Sequence, residues 1–318
     1  MYLGVDIAKR KFDCALLIGE TRFRTKVFDN NAAGIEACLA WIAKHSAGQP
    51  VHGCIEATGP YGEALACALH DAGHTVSVVN PARSRAYAES LGVRTKTDAV
   101  DARTLALMCK GNKPKPWTPP PASIRQLQEL VRRLDALTEM HTQEVNRRGV
   151  AHEVVVASIE EMLVSLEKHI ETIKAQIAQH IDQDPTLREQ RDLLATIPGI
   201  GPSTTAWLIA ELNAKQFACA RQAAAYAGVT PAHRQSGTSV HGKPKLSKRG
   251  NGRLRKTLYW AAITALRHNA IVRAMGERLR KRGKHNMAII AAAMRKLIHI
   301  AFGVLKSGRP FDPTLSDA

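Results

Sequence analysis

Four carboxylates near the start of the chain occupy positions where an acid is unusual. Asp6 and Glu56 each lie in a short apolar segment that is typical of a buried strand. Asp98 and Asp101 are three residues apart at a predicted helix start, which places them on one helix face with Cβ atoms about 5–6 Å apart. Buried acids are costly unless they are paired or bind metal. Converging acids favour hard divalent ions, here two Mg²⁺ or Mn²⁺ ions, which could assist a phosphoryl transfer.

Each acid also has a local explanation. Asp98 could cap its helix, and Asp101 could interact with the helix dipole. Asp6 could pair with the basic residues that follow it, and Glu56 could accept hydrogen bonds from nearby backbone amides. Taken together, with strand, strand and helix in the expected order, the four acids favour a metal site.

A basic segment in the second half of the chain indicates a polyanionic partner. The whole chain has 45 Lys and Arg against 28 Asp and Glu, a formal charge of +17. Residues 232–256 contain no acid, and the clustering favours nucleic acid over a solvated surface. The predicted nucleic-acid-binding cations are Arg234, Lys243, Lys245, Lys248, Arg249, Arg253, Arg255 and Lys256.

Ser236 is a candidate nucleophile at the start of this basic segment. The glycine that follows it leaves room for a phosphodiester, and nearby cations could stabilise charge on phosphorus. Attack by the hydroxyl would link protein to DNA and conserve bond energy for rejoining. On the residues alone an ordinary loop serine is the simpler interpretation, because Ser-Gly is a common dipeptide.

The order of elements predicts three regions. Residues 1–112 form a mixed α/β sheet of the ribonuclease-H-like type, residues 113–185 a proline-rich linker with coiled-coil helices, and residues 186–318 a mostly helical domain. The predicted strands are 2–8, 12–18, 21–28, 51–57 and 75–79, and the predicted helices of the first region are 31–45, 61–72, 81–91 and 98–109.

Two helical features of the later regions have alternative interpretations. A heptad seam from Ile159 to Ile177 fits either an intramolecular helical hairpin or a dimerising coiled coil, because both bury the same stripe. The sequence I-P-G-I-G at 197–201 lies between two apolar helices and resembles a helix-hairpin-helix element. Its glycines, Gly199 and Gly201, could let a phosphate approach backbone amides; alternatively, the turn only packs two helices.

Composition argues against several other classes. The six cysteines form no C-x-x-C pair, which is typical of a reducing cytoplasm and argues against structural zinc. The first residues are charged and lack a signal-peptide pattern. We also expect no apolar stretch long enough to span a membrane, and hence a cytoplasmic protein.

The motifs together resemble a known family. They are G-V-D-I-A-K at 4–9, I-E-A-T-G at 55–59, K-T-D-A-V-D-A at 96–102, I-P-G-I-G at 197–201, and A-Y-A-G-V-T-P at 225–231 running into H-R-Q-S-G. The chain resembles insertion-sequence transposases with an N-terminal DEDD domain and a C-terminal serine domain, to which the Piv and MooV DNA invertases are related. The likeness covers nearly the whole chain.

The resemblance implies a DNA recombinase with a Holliday-junction-resolvase-like domain. Its tetrad would be Asp6, Glu56, Asp98 and Asp101, and Ser236 would be the nucleophile, with Ser239 and Ser247 as competitors. It also implies donor and target DNA, a bridge RNA that pairs with both, and a homo-oligomer, dimer or tetramer, that shares active-site residues between subunits. The alternatives are a junction resolvase or nuclease that activates water, and a non-catalytic nucleic-acid-binding regulator.

Overall fold

The chain divides into two compact units, residues 1–120 and 121–318. The computed structural model describes residues 1–57, 59–95, 97–212, 217–236 and 240–315. The division falls within the proline-rich segment 113–121, and each unit is considered by itself below.

A five-stranded mixed sheet forms the centre of the first unit. Its strands are β1 (Tyr2–Ile7), β2 (Lys11–Ile18), β3 (Arg22–Asp29), β4 (His52–Glu56) and β5 (Thr75–Val79). Their order in the sheet is β3-β2-β1-β4-β5. β1, β2 and β3 pair antiparallel, whereas β4 and β5 continue the sheet in parallel with β1. All five strands were predicted within two residues, and the α/β class is confirmed.

Four α-helices surround this sheet. They are α1 (Ala32–Ser46), α2 (Glu63–Asp71), α3 (Pro81–Ser90) and α4 (Asp98–Asn112), and a short 3-10 turn, Pro60–Gly62, precedes α2. Side-chain caps fix where the helices begin: the Asn31 side chain accepts from the Gly34 amide, and the Thr97 hydroxyl accepts from the Val100 amide. Asp98 is therefore the first residue of its helix and not its cap.

The proline-rich segment packs on the first unit. The Trp117 amide donates to the Val76 carbonyl at 2.7 Å, and the indole lies against the apolar core of the sheet. Ser77 donates to the Pro114 carbonyl at 2.8 Å. These contacts hold the connector along the edge strand β5.

The second unit is mostly helical. Its helices are α5 (Ala122–Arg148), α6 (Glu153–Gln183), α7 (Pro185–Ala195), α8 (Pro202–Glu211), α9 (Ala220–Tyr226), α10 (Gly252–His268), α11 (Ala270–Lys281) and α12 (Asn286–Ser307), with a 3-10 turn at Pro313–Leu315. α5 and α6 pack against each other as a helical hairpin. Leu163, Leu166 and Ile177 of the predicted seam are buried within this single chain. The dimerising coiled coil stays a prediction.

One element of the second unit was not predicted. β6 (Pro231–Ser236) and β7 (Val240–Leu246) form an antiparallel hairpin within the basic segment. The sequence lacks the apolar alternation of a half-buried strand and includes Pro244, so nothing in its pattern indicates a sheet. The ribbon is defined by its backbone pairing, with a register irregularity between Ala232 and Arg234.

Helix α12 corrects the expectation about apolar stretches. By length and composition it could cross a membrane, and it is the one helix of the described ranges that meets this test. Its residues Leu297, Ile298 and Ala301 are fully buried in the core of the second unit. This burial is typical of a core helix.

Candidate functional site

The ends of three elements bring the four predicted acids to one edge of the sheet. Val5 and Ile55 are the last residues that pair the parallel strands β1 and β4 with each other, and Asp6 and Glu56 directly follow them. Asp98 and Asp101 lie in the first turn of α4, which packs on β1, β2 and β4. The carboxyl ends of two parallel strands and a helix N-terminus therefore meet at the same place.

Gly4 explains how α4 comes so close to β1. A Cβ atom built on Gly4 would lie 1.9 Å from the Ala102 carbonyl oxygen and 2.4 Å from the Ala106 amide nitrogen. Only glycine permits this approach. Ala102 follows Asp98 by four residues, so the two share a helix face. The face that rests on Gly4 therefore presents the two aspartates beside the end of β1.

The pKa of Asp6 reflects the closeness of the other acids. The pKa of Asp6 is raised from 3.8 to about 6, first by burial and then by repulsion from Asp101, Asp98, Glu56 and Asp13. Each of the other three predicted acids thus contributes to the field at Asp6. A cation bound at such a site would stabilise the ionised form of Asp6 and offset the repulsion from its neighbours.

Asp13 and Lys11 belong to the same cluster and were not predicted. Asp13 pairs with Asp6 across the antiparallel strands and is 8% exposed. The Lys11 ammonium lies 3.1 Å from Asp13 and 2.8 Å from Asp98, and these two acids raise the pKa of Lys11. An acid within the apolar run of β2 is the same signal that identified Asp6, so Asp13 could have been found from the sequence.

Ser84 holds Glu56 from a different element. Its hydroxyl lies 2.5 Å from Glu56 Oε2 and 2.9 Å from the Pro81 carbonyl oxygen. Ser84 is buried at the start of α3. No sequence signal links it to Glu56, because the two residues are 28 positions apart and meet only through the sheet.

The donor set fits a hard divalent cation. It consists of carboxylate oxygens around Asp6, and the Lys11 ammonium already bridges two of them. Across the described part of the chain, no group of three His, Cys, Asp or Glu side chains is close enough together to hold an ion.

Ser236 is the last residue of β6, paired with Val240 of β7. The side chains of Ser236, Arg234 and Lys243, and the whole of Ser239, lie outside the described residues. The root of the hairpin is described: the Ser247 amide donates to the Thr230 carbonyl at 2.9 Å, and the Thr230 hydroxyl donates to Ser247 Oγ at 3.2 Å. The predicted nucleophile thus lies at the far end of a ribbon whose base is hydrogen-bonded.

A buried carboxylate reinforces the base of this ribbon. Glu211, at the end of α8, is 7% exposed and accepts hydrogen bonds from the Tyr226 hydroxyl at 2.6 Å and from the Asn251 amide at 2.9 Å. Burial and the neighbouring carboxylate raise the pKa of Tyr226. The Asn251 backbone amide also donates to the Tyr226 carbonyl, and its side chain caps α10. The cluster joins α8, α9 and α10 on both sides of the hairpin.

The predicted basic residues have different surroundings. Lys245, Lys248 and Arg249 are exposed. Arg255 donates to the Ala227 carbonyl at 3.2 Å, which is a structural contact. Two further cations pair with acids of α5.

These ion pairs tie the start of α10 to α5. The Lys256 ammonium lies 3.0 Å from Asp135 and 2.8 Å from Glu139, and Arg253 lies 3.5 Å from Asp135. A phosphate would have to compete with these carboxylates. The contact of Arg253 and Lys256 with nucleic acid stays a prediction.

The two glycines of the I-P-G-I-G turn differ. Gly199 has φ +99°, and an added Cβ would lie 2.7 Å from Cα of Ala265. This close packing on α10 accounts for a glycine at 199. Gly201 begins α8 with φ −93°. Phosphate contact at either position stays a prediction.

Comparison with known proteins identifies the family. Residues 3–149 match the DEDD-type model described as "Transposase", and residues 191–277 match the model described as "Transposase IS116/IS110/IS902 family". The chain is 34% identical over 319 residues, covering 99% of both chains, to the pilin gene-inverting protein of Moraxella bovis. The protein of the same description from Moraxella lacunata gives the same identity and coverage.

A shorter match comes from an insertion element. The chain is 30% identical over 158 residues, 49% of its length, to the insertion element IS110 uncharacterized 43.6 kDa protein of Streptomyces coelicolor, of which this covers 38%. The two family matches and the full-length likeness lead to one conclusion: the chain belongs to the IS110 family of insertion-sequence transposases and DNA recombinases.

Proposed function

We propose that the chain cuts and rejoins DNA with divalent cations held by Asp6, Glu56, Asp98 and Asp101 and with Ser236 as nucleophile. The observation that carries the proposal is the meeting of the ends of β1 and β4 with the first turn of α4, where burial and the charges of the other three acids raise the pKa of Asp6. We expect two ions at this site, either Mg²⁺ or Mn²⁺.

 The bound cations would supply charge stabilisation to the attacking and the leaving oxygen of the phosphodiester.

The side chains of the protein orient the carboxylates and provide the nucleophile. Ser84 and Lys11 orient Glu56 and Asp98 through the contacts described above. The Ser236 hydroxyl loses its proton, its Oγ forms an ester bond to phosphorus, and the nucleotide oxygen leaves and takes up a proton. The reverse attack by a nucleotide hydroxyl restores the serine and joins the strands, so bond energy is conserved.

The full-length likeness to proteins described as gene-inverting supports cutting with rejoining over cleavage alone, because an inversion must reseal every strand that it breaks. We propose that this chain moves its own insertion sequence by the same chemistry. We further propose a homo-oligomer, dimer or tetramer, in which the carboxylates and Ser236 of one active site can come from different subunits.

The deciding experiment traps the covalent intermediate. The full chain is incubated with Mg²⁺ and end-labelled DNA from either side of its gene, then denatured, and label that migrates with the protein is measured. Ser236→Ala should abolish the adduct, and Ser247→Ala, in the root of the hairpin, should retain it. Strand cleavage without any adduct would instead identify a nuclease that uses water. An unchanged reaction in Asp6→Asn would refute the metal site.

We also propose that a bridge RNA selects the sites by base pairing, while the protein contacts backbone and shape. Its source would be the non-coding DNA beside the gene. Purification of the chain from cells that carry the whole element should enrich this RNA. Recombination that proceeds at full rate after ribonuclease treatment would refute RNA guidance.

A further inference from the structure

One tryptophan of the chain differs from the other three in its exposure. Trp207 is buried at 4% exposure, and Trp41 and Trp117 are partly buried against the core of the first unit. Trp260, on α10, is 70% exposed. A large apolar ring left in water forgoes the free energy that burial would provide, so an exposed tryptophan indicates a surface that a partner covers.

Trp260 lies within a polar stripe along α10. Arg253, Lys256, Thr264 and Arg267 are exposed and follow spacings of three and four residues around it, which places them on the same helix face. The stripe itself carries no acid, and the sequence has no Asp or Glu between Glu211 and Glu277. Arg253 and Lys256, at one end of the stripe, pair with acids of α5, whereas Arg267 at the other end takes part in none of the ion pairs found among the described residues. The part of the face around Trp260 and Arg267 therefore favours a polyanion.

The Tyr259 ring packs against the Trp260 ring and restricts its orientation. Tyr259 packs partly against the core of the second unit, and its ring meets the indole edge-on, with centroids 5.3 Å apart and planes at 82°. An aromatic side chain that is already held in place loses little entropy on binding. One face of the indole is thereby presented to the solvent.

We propose that Trp260 stacks on an unpaired base of a DNA strand, and that Arg267 contacts a phosphate of the same strand. Exposed aromatic rings flanked by cations are the usual platform for single strands, because every base has a stacking face. Arg267 is two helix turns from Trp260, about 10 Å along the axis. The proposal rests on the DNA-rejoining function above, since strand exchange exposes unpaired bases.

The indole itself reports the contact. The fluorescence of the full chain is measured while single-stranded oligo-dT is added in EDTA, so that no cutting is needed. We expect quenching by the single strand, and much less by a blunt duplex of the same length. Trp260→Phe should remove the quenching, and Trp41→Phe, the matched loss of a fluorophore, should retain it.

Affinity provides the second readout. Trp260→Ala should weaken binding of the single strand roughly fivefold to a hundredfold, the range expected for loss of one stacked base, and should leave duplex binding unchanged. Arg267→Gln should weaken the single-strand complex and lower its salt dependence. Equal affinity of wild type and Trp260→Ala would overturn the proposal, and so would stronger quenching by oligo-rU than by oligo-dT.

Two controls separate the possible failures. Light scattering of Trp260→Ala should match the wild type, because a changed oligomeric state would assign the ring to a protein interface and overturn the proposal. Asp6→Asn should retain the quenching in EDTA. If the wild-type chain shows the quenching but forms no covalent adduct with cleavable DNA and Mg²⁺, the stacking site is upheld and the serine mechanism is refuted.

Discussion

Replacing Asp6 by asparagine should stabilise the metal-free protein at neutral pH. A carboxyl whose pKa rises from 3.8 to about 6 on folding makes unfolding easier by roughly 3 kcal/mol once it is ionised in both states. Asp6 is partly exposed, so solvent screening reduces this to about 1–2 kcal/mol. Asparagine keeps the shape of the side chain and removes the charge, so this penalty should disappear.

The sign of the effect sets its pH dependence. Because the folded pKa lies above the unfolded one, the wild type is free of the penalty below pH 3.8 and bears all of it above about pH 6. In EDTA, the advantage of Asp6→Asn should therefore grow as the pH rises through this window. Urea unfolding at several pH values measures it. Glu36→Gln, an exposed acid on α1, is the control and should show no such trend.

Divalent cations should stabilise the wild type more than Asp6→Asn and so reverse the order of their stabilities. Ions that bind only the folded state stabilise it by mass action, so millimolar Mg²⁺ should raise the unfolding midpoint of the wild type more than that of Asp6→Asn. If Asp6→Asn were less stable than the wild type in EDTA at pH 7, the penalty assigned to burial of, and repulsion on, the Asp6 carboxylate would be refuted. Equal stabilisation of both proteins by Mg²⁺ would refute Asp6 as a ligand.

Three further substitutions test the packing and the charges. Gly4→Ala should cost about 1–3 kcal/mol of stability and abolish recombination by displacing α4, whereas Gly53→Ala on the neighbouring strand, with only ordinary contacts at 3.8 Å, should be tolerated. Tyr226→Phe should cost about 1–3 kcal/mol in urea unfolding, because a buried carboxylate loses a donor; no loss would contradict that role. Glu139→Gln should strengthen DNA binding about two- to fivefold at low salt, because Lys256 loses one of its two carboxylate partners. Glu129→Gln, whose partner is on its own helix, should not.

The sequence predicted the first unit well because its signals are local. Asp6 and Glu56 interrupt apolar strands, and such an interruption is visible without any structure. Asp13 gives the same signal, yet its importance depends on pairing with Asp6 across the strands, which no single segment reveals. Ser84 could not be found in this way, since α3 and β4 approach each other only in the folded chain.

The second unit was harder to predict because long-range contacts decide its details. The β6–β7 ribbon has no periodic apolar face, so its basic sequence resembles a loop. Lys256 was predicted as a phosphate ligand, whereas its partners in the folded chain lie more than a hundred residues earlier, on α5. Charge composition indicates a polyanionic partner, but it does not identify which cations are already paired within the protein.

Glycine motifs need the same distinction between packing and binding. Gly4 and Gly199 each lie where a Cβ would overlap a neighbouring helix, so packing alone requires glycine at both. A Cβ atom added to Gly201 would meet no atom of the described residues within 4 Å, and other residue types also adopt its φ of −93°. Packing therefore gives no reason for glycine at 201, and the case for phosphate contact at the I-P-G-I-G turn rests on Gly201 and the first amides of α8.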